Sequence, residues 1–245
     1  MPGHAETDRR CLVTGANRGL GLEFVRQLLA RGERVVAACR QPGRATALNA
    51  LAGAYPGRLH VLPLDVAAPR SRAELLRELP LVLGDARLGL LVNNAGILQG
   101  GERFGQVAEA DLETSLRTNA IGPFLLTQAL APLLSDAEGA RPGAVVANLS
   151  SEIGSLSTRT EFRTPSYAMG KAAQNMGTVL LAKALAGRGI RVAALHPGWV
   201  RTDMGGPKAA LAADEAVAAL LRVIDGLRPE DSGCFLDGAG KPLPW

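Results

Sequence analysis

A glycine-punctuated turn near the start of the chain constrains its fold more than any other feature. The apolar run Arg10-Cys11-Leu12-Val13-Thr14 leads directly into Gly15-Ala16-Asn17-Arg18-Gly19-Leu20-Gly21, and a helical pattern follows over 19–31. A strand that turns at once into a helix brings the free N–H groups and positive dipole end of that helix to the strand's carboxyl end, where an anion can sit. Gly15 permits the tight turn, Gly19 lets backbone amides approach a phosphate, and Gly21 lets the helix pack closely on the strand.

Beyond this turn, short apolar runs alternate with helical patterns to the end of the chain. Strands are predicted at 10–14, 34–39, 59–64, 88–92, 143–149, 190–195 and 233–237, and helices near 19–31, 43–53, 71–82, 108–134, 165–187 and 213–226. Several of the strands are apolar at consecutive positions, as expected when helices cover both faces of a parallel sheet. The pattern implies an α/β fold: a single-domain, doubly wound, parallel seven-stranded sheet with helices on both faces. Over 245 residues there is no internal repeat, low-complexity segment or clear linker, so one domain is expected over 10–245 after a flexible 1–9.

Composition serves mainly to exclude. Apolar residues at 47% and charged residues at 20% suit a globular enzyme and not a disordered chain. The net charge of +4 comes without a like-charge run, and aromatics are 4%, so no nucleic-acid partner is expected. No stretch approaches the ~18–20 apolar residues of a membrane span. The opening MPGHAETDRR lacks the pattern of a secretory leader. Cys11, Cys39 and Cys234 lie far apart with no Cys-x-x-Cys pair, which reads as buried thiols in a reducing compartment and gives a cytoplasmic expectation. No His/Cys/Asp/Glu cluster has metal-ligand spacing, and no metal site is expected.

The spacing Gly-x-x-x-Gly-x-Gly resembles that of the short-chain dehydrogenase/reductase family, and further motifs recur in the family's order. They are Asp65-Val66, Asn93-Asn94-Ala95-Gly96, Asn119, Ser150-Ser151-x-x-Gly154, Tyr167-x-x-x-Lys171 and Pro197-Gly198, together spanning roughly residues 10 to 204. Within the family, His196 to Pro207 (HPGWVRTDMGGP) and the closing GKPLPW look like the C-factor and sniffer-type carbonyl reductase branch. The resemblance implies a Rossmann fold and hydride transfer between NADP(H) and an aldehyde, ketone or alcohol. It implies that Asn17, Arg18 and Leu20 join Gly15, Gly19 and Gly21 at the cofactor, with Asp65 and Val66 at the adenine. Asn93, Ala95 and Gly96 then face the adenosine side, and Pro197, Gly198, Val200 and Thr202 the nicotinamide. The end of the second strand carries Cys39 and Arg40 where an NAD enzyme usually places a carboxylate. Two guanidiniums, Arg18 and Arg40, favour the 2′-phosphate of NADP.

Tyr167 and Lys171 are one helical turn apart and project from one face. A tyrosine of pKa about 10 is a poor proton relay near neutrality. The lysine and a positive nicotinamide are expected to lower that value. The resemblance makes Ser151, the serine followed by x-x-Gly, the group that stabilises charge on the substrate oxygen, and Asn119 the residue that holds a relay water. Two departures stand out: Gly170 replaces the usual serine, and the segment between Ser151 and Tyr167 is long and holds Arg159, Glu161, Phe162 and Arg163. Leu98, Ile153, Phe162, Trp199 and Met204 are candidates for an apolar substrate pocket. A second reading is an NADP(H)-binding regulatory protein of C-factor type with little turnover. The helices near 108–134 and 165–187 pair subunits in much of the family, so monomer, homodimer and homotetramer stay open.

Overall fold

In the computed structural model, which describes residues 9–245, seven strands form one sheet; residues 1–8, most of the segment expected to be flexible, lie outside the described residues. The strands are β1 (Arg10–Thr14), β2 (Arg34–Cys39), β3 (Leu59–Pro63), β4 (Leu88–Asn93), β5 (Val145–Leu149), β6 (Arg191–His196) and β7 (Phe235–Asp237). Their order is β3-β2-β1-β4-β5-β6-β7 and every adjacent pair is parallel. The chain winds outward from β1 in one direction, then restarts at β4 in the other. The crevice between β1 and β4 is therefore the topological switch point, where open α/β sheets bind ligands at the carboxyl ends of their strands.

Seven α-helices cover the sheet: α1 (Gly19–Ala30), α2 (Thr46–Ala54), α3 (Pro69–Leu83), α4 (Glu109–Leu116), α5 (Gly122–Leu130), α6 (Pro165–Leu185) and α7 (Ala213–Gly226). Successive strand residues supply opposite faces. Cys11 and Val13 pack with Phe24 and Leu28 of α1, Leu48 of α2 and Leu220 of α7. Leu12 packs with Leu75 and Leu79 of α3, Leu126 of α5 and Leu181 of α6. Burial on both faces is why these strands read as continuous apolar runs.

The helix expected over 108–134 is not continuous. A π-helical turn, Arg117–Ile121, separates α4 from α5, and a 3-10 turn, Ala131–Leu133, ends the run. The cause is tertiary. The Asn119 amide bonds both main-chain groups of Ile97, and Gly122 lies so close to β3's exit that a Cβ there would sit 2.6 Å from the Val66 carbonyl oxygen. Widening the helix by one residue satisfies both contacts, and such π turns concentrate at functional sites.

At the amino ends of β1 and β2, the Glu33 carboxylate is 3% exposed and accepts from Arg9 Nε at 3.0 Å and Nη2 at 2.8 Å, and from the Cys11 thiol at 2.8 Å. Arg9 also reaches Asp225 of α7 at 3.0 Å. A buried carboxylate is tolerable here because it is both paired and hydrogen-bonded. Cys11 and Cys39 are buried free thiols, and Cys234 is half-buried.

Two helical glycines should respond in opposite ways to alanine. At Gly21 a Cβ would fall 2.3 Å from the Gly15 carbonyl oxygen and 2.5 Å from Asn94 Nδ2, so Gly21→Ala should destabilise by about 1–3 kcal/mol. Gly53, on exposed α2, has nothing within 4 Å, and Gly53→Ala should stabilise by up to about 1 kcal/mol. Urea midpoints of the two variants decide it; a neutral Gly21→Ala would contradict the packing described.

Candidate active site

The carboxyl ends of β1 and β4 are stitched together by side chains. The Thr14 hydroxyl accepts from the backbone N–H groups of Asn94 (3.1 Å) and Ala95 (3.0 Å). In return, Asn94 Nδ2 donates to the carbonyls of Thr14 (2.8 Å) and Gly15 (3.1 Å). Gly15, at φ +63°, comes so near this second turn that a Cβ would lie 2.9 Å from Ala95 Cα. Asn94, which the sequence reading did not single out, thus fixes the shape of the glycine turn. Its signal was only its place beside Asn93 in the motif.

From this hinge α1 begins with exposed Asn17 and Arg18, no side-chain cap and no acidic residue in its first turn. Its first N–H groups and positive dipole end are left facing the crevice. Gly19 opposes Thr202, whose Cγ2 would lie 3.5 Å from an added Cβ, and Arg18 reaches Asp203 in an exposed ion pair of 2.7 Å. The glycine turn therefore faces the segment after β6 across the cleft. That segment is folded on itself: Thr202 Oγ1 accepts from Gly205 N–H at 3.1 Å, and Trp199 Nε1 donates to the Gly205 carbonyl at 2.8 Å. Pro197 and Gly198 are half-buried, and Val200 is 5% exposed.

Of the other residues expected at a cofactor, Arg40 is exposed at the end of β2 and Leu20 is half-buried. Asp65 is half-buried, its Oδ1 accepting from Ala67 N–H at 3.0 Å, while Val66 is buried. Asn93 turns inward, and its Nδ2 donates to Thr127 Oγ1 (3.0 Å) and Asn148 Oδ1 (2.8 Å). Gly96 borders the other half of the site: a Cβ there would meet Asn119 Oδ1 at 3.1 Å and Lys171 Nζ at 3.7 Å.

Asn119 and Lys171 border Gly96, the Lys171 ammonium lies against the Tyr167 ring, and Ser151 acts on the Tyr167 phenol; all four residues are buried. Ser151 leaves β5 in extended backbone and caps the 3-10 turn Glu152–Gly154, its Oγ accepting from Ile153 N–H at 3.2 Å. Its side chain also acts on the Tyr167 phenol, favouring the phenolate. Ser150 is engaged elsewhere, donating to Asn175 Oδ1 at 2.6 Å. Asn119 Nδ2 gives both hydrogens away, to Ile97 O at 2.9 Å and Ser115 Oγ at 3.0 Å. Gly170 makes this packing feasible, since a Cβ would fall 3.0 Å from Ser115 Oγ and 3.2 Å from Asn119 Cβ. The usual serine would crowd both.

In the protein alone, burial pushes the Tyr167 phenol up to about 12, and Ser151 opposes this only in part. Lys171 lies under the tyrosine ring, 5.6 Å from its centroid, and does not reverse the shift. Desolvation at a 7%-exposed site outweighs a cation that is itself buried. Burial also lowers Lys171 to about 7. His196 is lowered by its own burial, against the pull of Glu152 and Asp237.

Of the residues expected to line an apolar pocket, Phe162 packs edge-on against Phe104 with centroids 5.5 Å apart, and both rings are exposed, as are Trp199 and Met204; Leu98 and Ile153 are half-buried. The segment from Leu156 to Arg163 is exposed, and among the described residues no ion pair joins Arg159, Glu161 and Arg163. It is fastened at one end by Ser157, whose N–H and Oγ donate to the Trp245 carbonyl at 3.0 and 2.5 Å. Its other end is Thr164, held at φ +46° as it enters α6. Among the described residues no group of three or more His, Cys, Asp or Glu is placed to hold a metal, and no helix is long and apolar enough to cross a membrane.

The lysine leaves a signature in stability. With its folded value near 7 and an unfolded value near 10.5, the unfolded chain binds more protons between those limits, so stability rises as pH increases across that window. Below about pH 7 the cost of the buried charge is felt in full. Lys171→Met should remove this slope, so thermal midpoints of variant and parent should lie at a constant offset below about pH 7 and change relative to one another as pH rises from 7 to 10.5. Parallel curves would contradict a buried, depressed lysine.

A family model described as short chain dehydrogenase matches residues 9–211. The C-signal protein of Myxococcus xanthus is 43% identical over 158 residues, covering 64% of this chain and 92% of that protein. An NADPH-bound carbonyl reductase from chicken fatty liver is 38% identical with a TM-score of 0.89, covering 97% of this chain and 99% of the other. The carbonyl reductase Sniffer of D. melanogaster is 32% identical with a TM-score of 0.90 at the same coverages. With its parallel sheet, glycine turn and serine–tyrosine–lysine cluster, this chain belongs to the short-chain dehydrogenase family and is an oxidoreductase of its C-factor and sniffer branch.

Proposed function

We propose that this oxidoreductase is an NADP(H)-dependent carbonyl reductase, running as an alcohol dehydrogenase in reverse, with Tyr167 as general acid and base. The observation that carries the reading is buried Tyr167 with the Lys171 ammonium 5.6 Å from its ring centroid and buried Ser151 acting on its phenol. The cleft suits a dinucleotide phosphate. The uncapped α1 N-terminus faces it, Gly15, Gly19 and Gly96 keep it free of Cβ atoms, and Arg18 and exposed Arg40 offer guanidiniums to a 2′-phosphate. The chicken enzyme, similar over nearly its whole length, was solved with NADPH.

When bound, the nicotinamide supplies or accepts the hydride. The chain's own residues do the rest. Ser151 Oγ would donate to the substrate oxygen and stabilise the charge growing there. Tyr167, held neutral by burial, is in the right form to give its proton to that oxygen during reduction. Lys171 would bind the nicotinamide ribose and pass a proton toward the tyrosine. Asn119, its side-chain amide tied to Ile97 and Ser115, would hold the relay water through its main-chain carbonyl. Thr202 and the Val200 backbone would seat the carboxamide, and Asp65 the adenine. Arg18 must leave Asp203 to meet the 2′-phosphate, a small cost because exposed ion pairs are worth about 0–1 kcal/mol.

Tyr167→Phe should abolish NADPH oxidation with aldehydes, ketones and diones while leaving NADPH binding within about threefold, measured by fluorescence titration. Tight NADPH binding with no turnover by the parent across a broad panel would favour a regulatory role instead. Arg18→Ala and Arg40→Ala should each weaken NADPH more than NADH, by about tenfold or more for a lost charge-assisted bond. An unchanged preference in both variants would defeat the NADP assignment.

A further inference from the structure

The inner face of α6 is polar where a helix on a sheet is usually apolar. Ser166, Tyr167, Lys171, Gln174, Asn175 and Thr178 are all buried along it. Most of them have partners that explain their presence. Asn175 receives the Ser150 hydroxyl at 2.6 Å, and Thr178 receives Asn148 Nδ2 at 2.8 Å. Gln174 is different. It is 4% exposed, its Nε2 has no hydrogen-bond partner, and its Oε1 accepts from Lys171 Nζ at 2.9 Å. A buried amide with its donor side unmatched is costly, whereas leucine or methionine would fill the volume without that penalty. What the glutamine gains is the bond to the lysine.

The lysine's surroundings show why such a bond matters. Lys171 is 3% exposed, and its second partner is the Leu149 carbonyl at 2.6 Å. Charged groups on the elements packed against α6 are Glu109, Asp111 and Glu113 of α4, Arg117 of the π turn, Glu152 of the 3-10 turn, Arg188 of the turn that follows α6, and Arg191 and His196 of β6. None pairs with Lys171, and burial alone accounts for its depressed value. The ammonium therefore rests on two neutral oxygens, one of them from a side chain. That leaves one N–H of the ammonium, and Nζ lies 3.7 Å from where a Cβ on Gly96 would stand.

We propose that Gln174 is a positioning residue for Lys171: its side-chain carbonyl, paired with the Leu149 carbonyl, holds the ammonium form and aims its remaining N–H past Gly96 into the cleft. This rests on the proposed function for what lies in the cleft, but not for the bond itself. Gln174 touches neither substrate nor cofactor and acts only through the lysine. An acceptor lost from a buried ammonium favours the free amine, and a carboxylate in its place favours the ammonium.

The test is a titration of Lys171 in the cofactor-free protein, followed by NMR of 13Cε-labelled lysine and assigned with Lys171→Met. Parent Lys171 should titrate near pH 7. Gln174→Met, which keeps volume and removes the acceptor, should lower that midpoint by about one unit or more, a tenfold change in proton affinity. Gln174→Glu should raise it by at least as much. The lysine-dependent limb of the kcat pH profile with NADPH should move in the same directions, with KM for the carbonyl substrate within about threefold. A Lys171 midpoint and a pH profile unmoved in both variants, even with stability reduced, would overturn the proposal and leave Gln174 a packing residue. The failures are separable. Shifted midpoints together with turnover surviving in Tyr167→Phe would remove the proposed chemistry and keep the Gln174–Lys171 coupling, and fixed midpoints with turnover lost in Tyr167→Phe would do the reverse.

Discussion

Burying a lysine ammonium is the demand around which this molecule is arranged. An uncompensated charge in a dry interior is intolerable, so the group must find oxygens or surrender its proton. Lys171 does some of each: it is drawn down to about 7, and it holds the Leu149 carbonyl and Gln174. Those two oxygens come from the carboxyl end of β5 and from the next turn of α6, which fixes how the helix docks on the strand. Gly154 fits the same constraint, since a Cβ there would lie 2.8 Å from Lys171 Cβ, and the 3-10 turn bearing Ser151 can approach α6 only because that atom is missing.

The second demand is to hold the two halves of the sheet in fixed relation at the switch point. Backbone ladders align β1 with β4, but their carboxyl ends must diverge to open a crevice. Thr14 and Asn94 accomplish this with reciprocal bonds between one turn's side chain and the other's backbone. The glycine turn after β1 and the turn after β4 are thereby held in fixed relation. Exposed contacts such as Arg18 with Asp203 cost little to break, and the proposed binding draws its flexibility from them.

Much of this was legible in the sequence because burial on two faces writes itself as unbroken apolar runs. The strand ends agree with the structure to within two residues, and α1, α6 and α7 begin where their patterns begin. The π turn was not legible, because the helix propensity of 108–134 is unexceptional and the break comes from Ile97 and Val66, distant in sequence. Gln174 and Ser115 were passed over for a related reason. A polar residue in a helix looks the same in sequence whether it faces solvent or a buried ammonium. The upward pull of burial on the tyrosine was not legible either, because it depends on a balance between desolvation and charge that only the packed environment sets.

The long segment between Ser151 and Tyr167 carries a consequence for how such a protein can diversify. It is pinned near Ser157 by the Trp245 carbonyl and enters α6 through a strained Thr164, but between those anchors its residues lie outside every strand ladder and core cluster. Insertions or replacements there would alter the exposed pair of Phe162 and Phe104 while leaving the buried serine and tyrosine in place. Selection can therefore exchange the appetite of the site for different molecules by rewriting a surface loop, while the machinery beneath it is inherited intact.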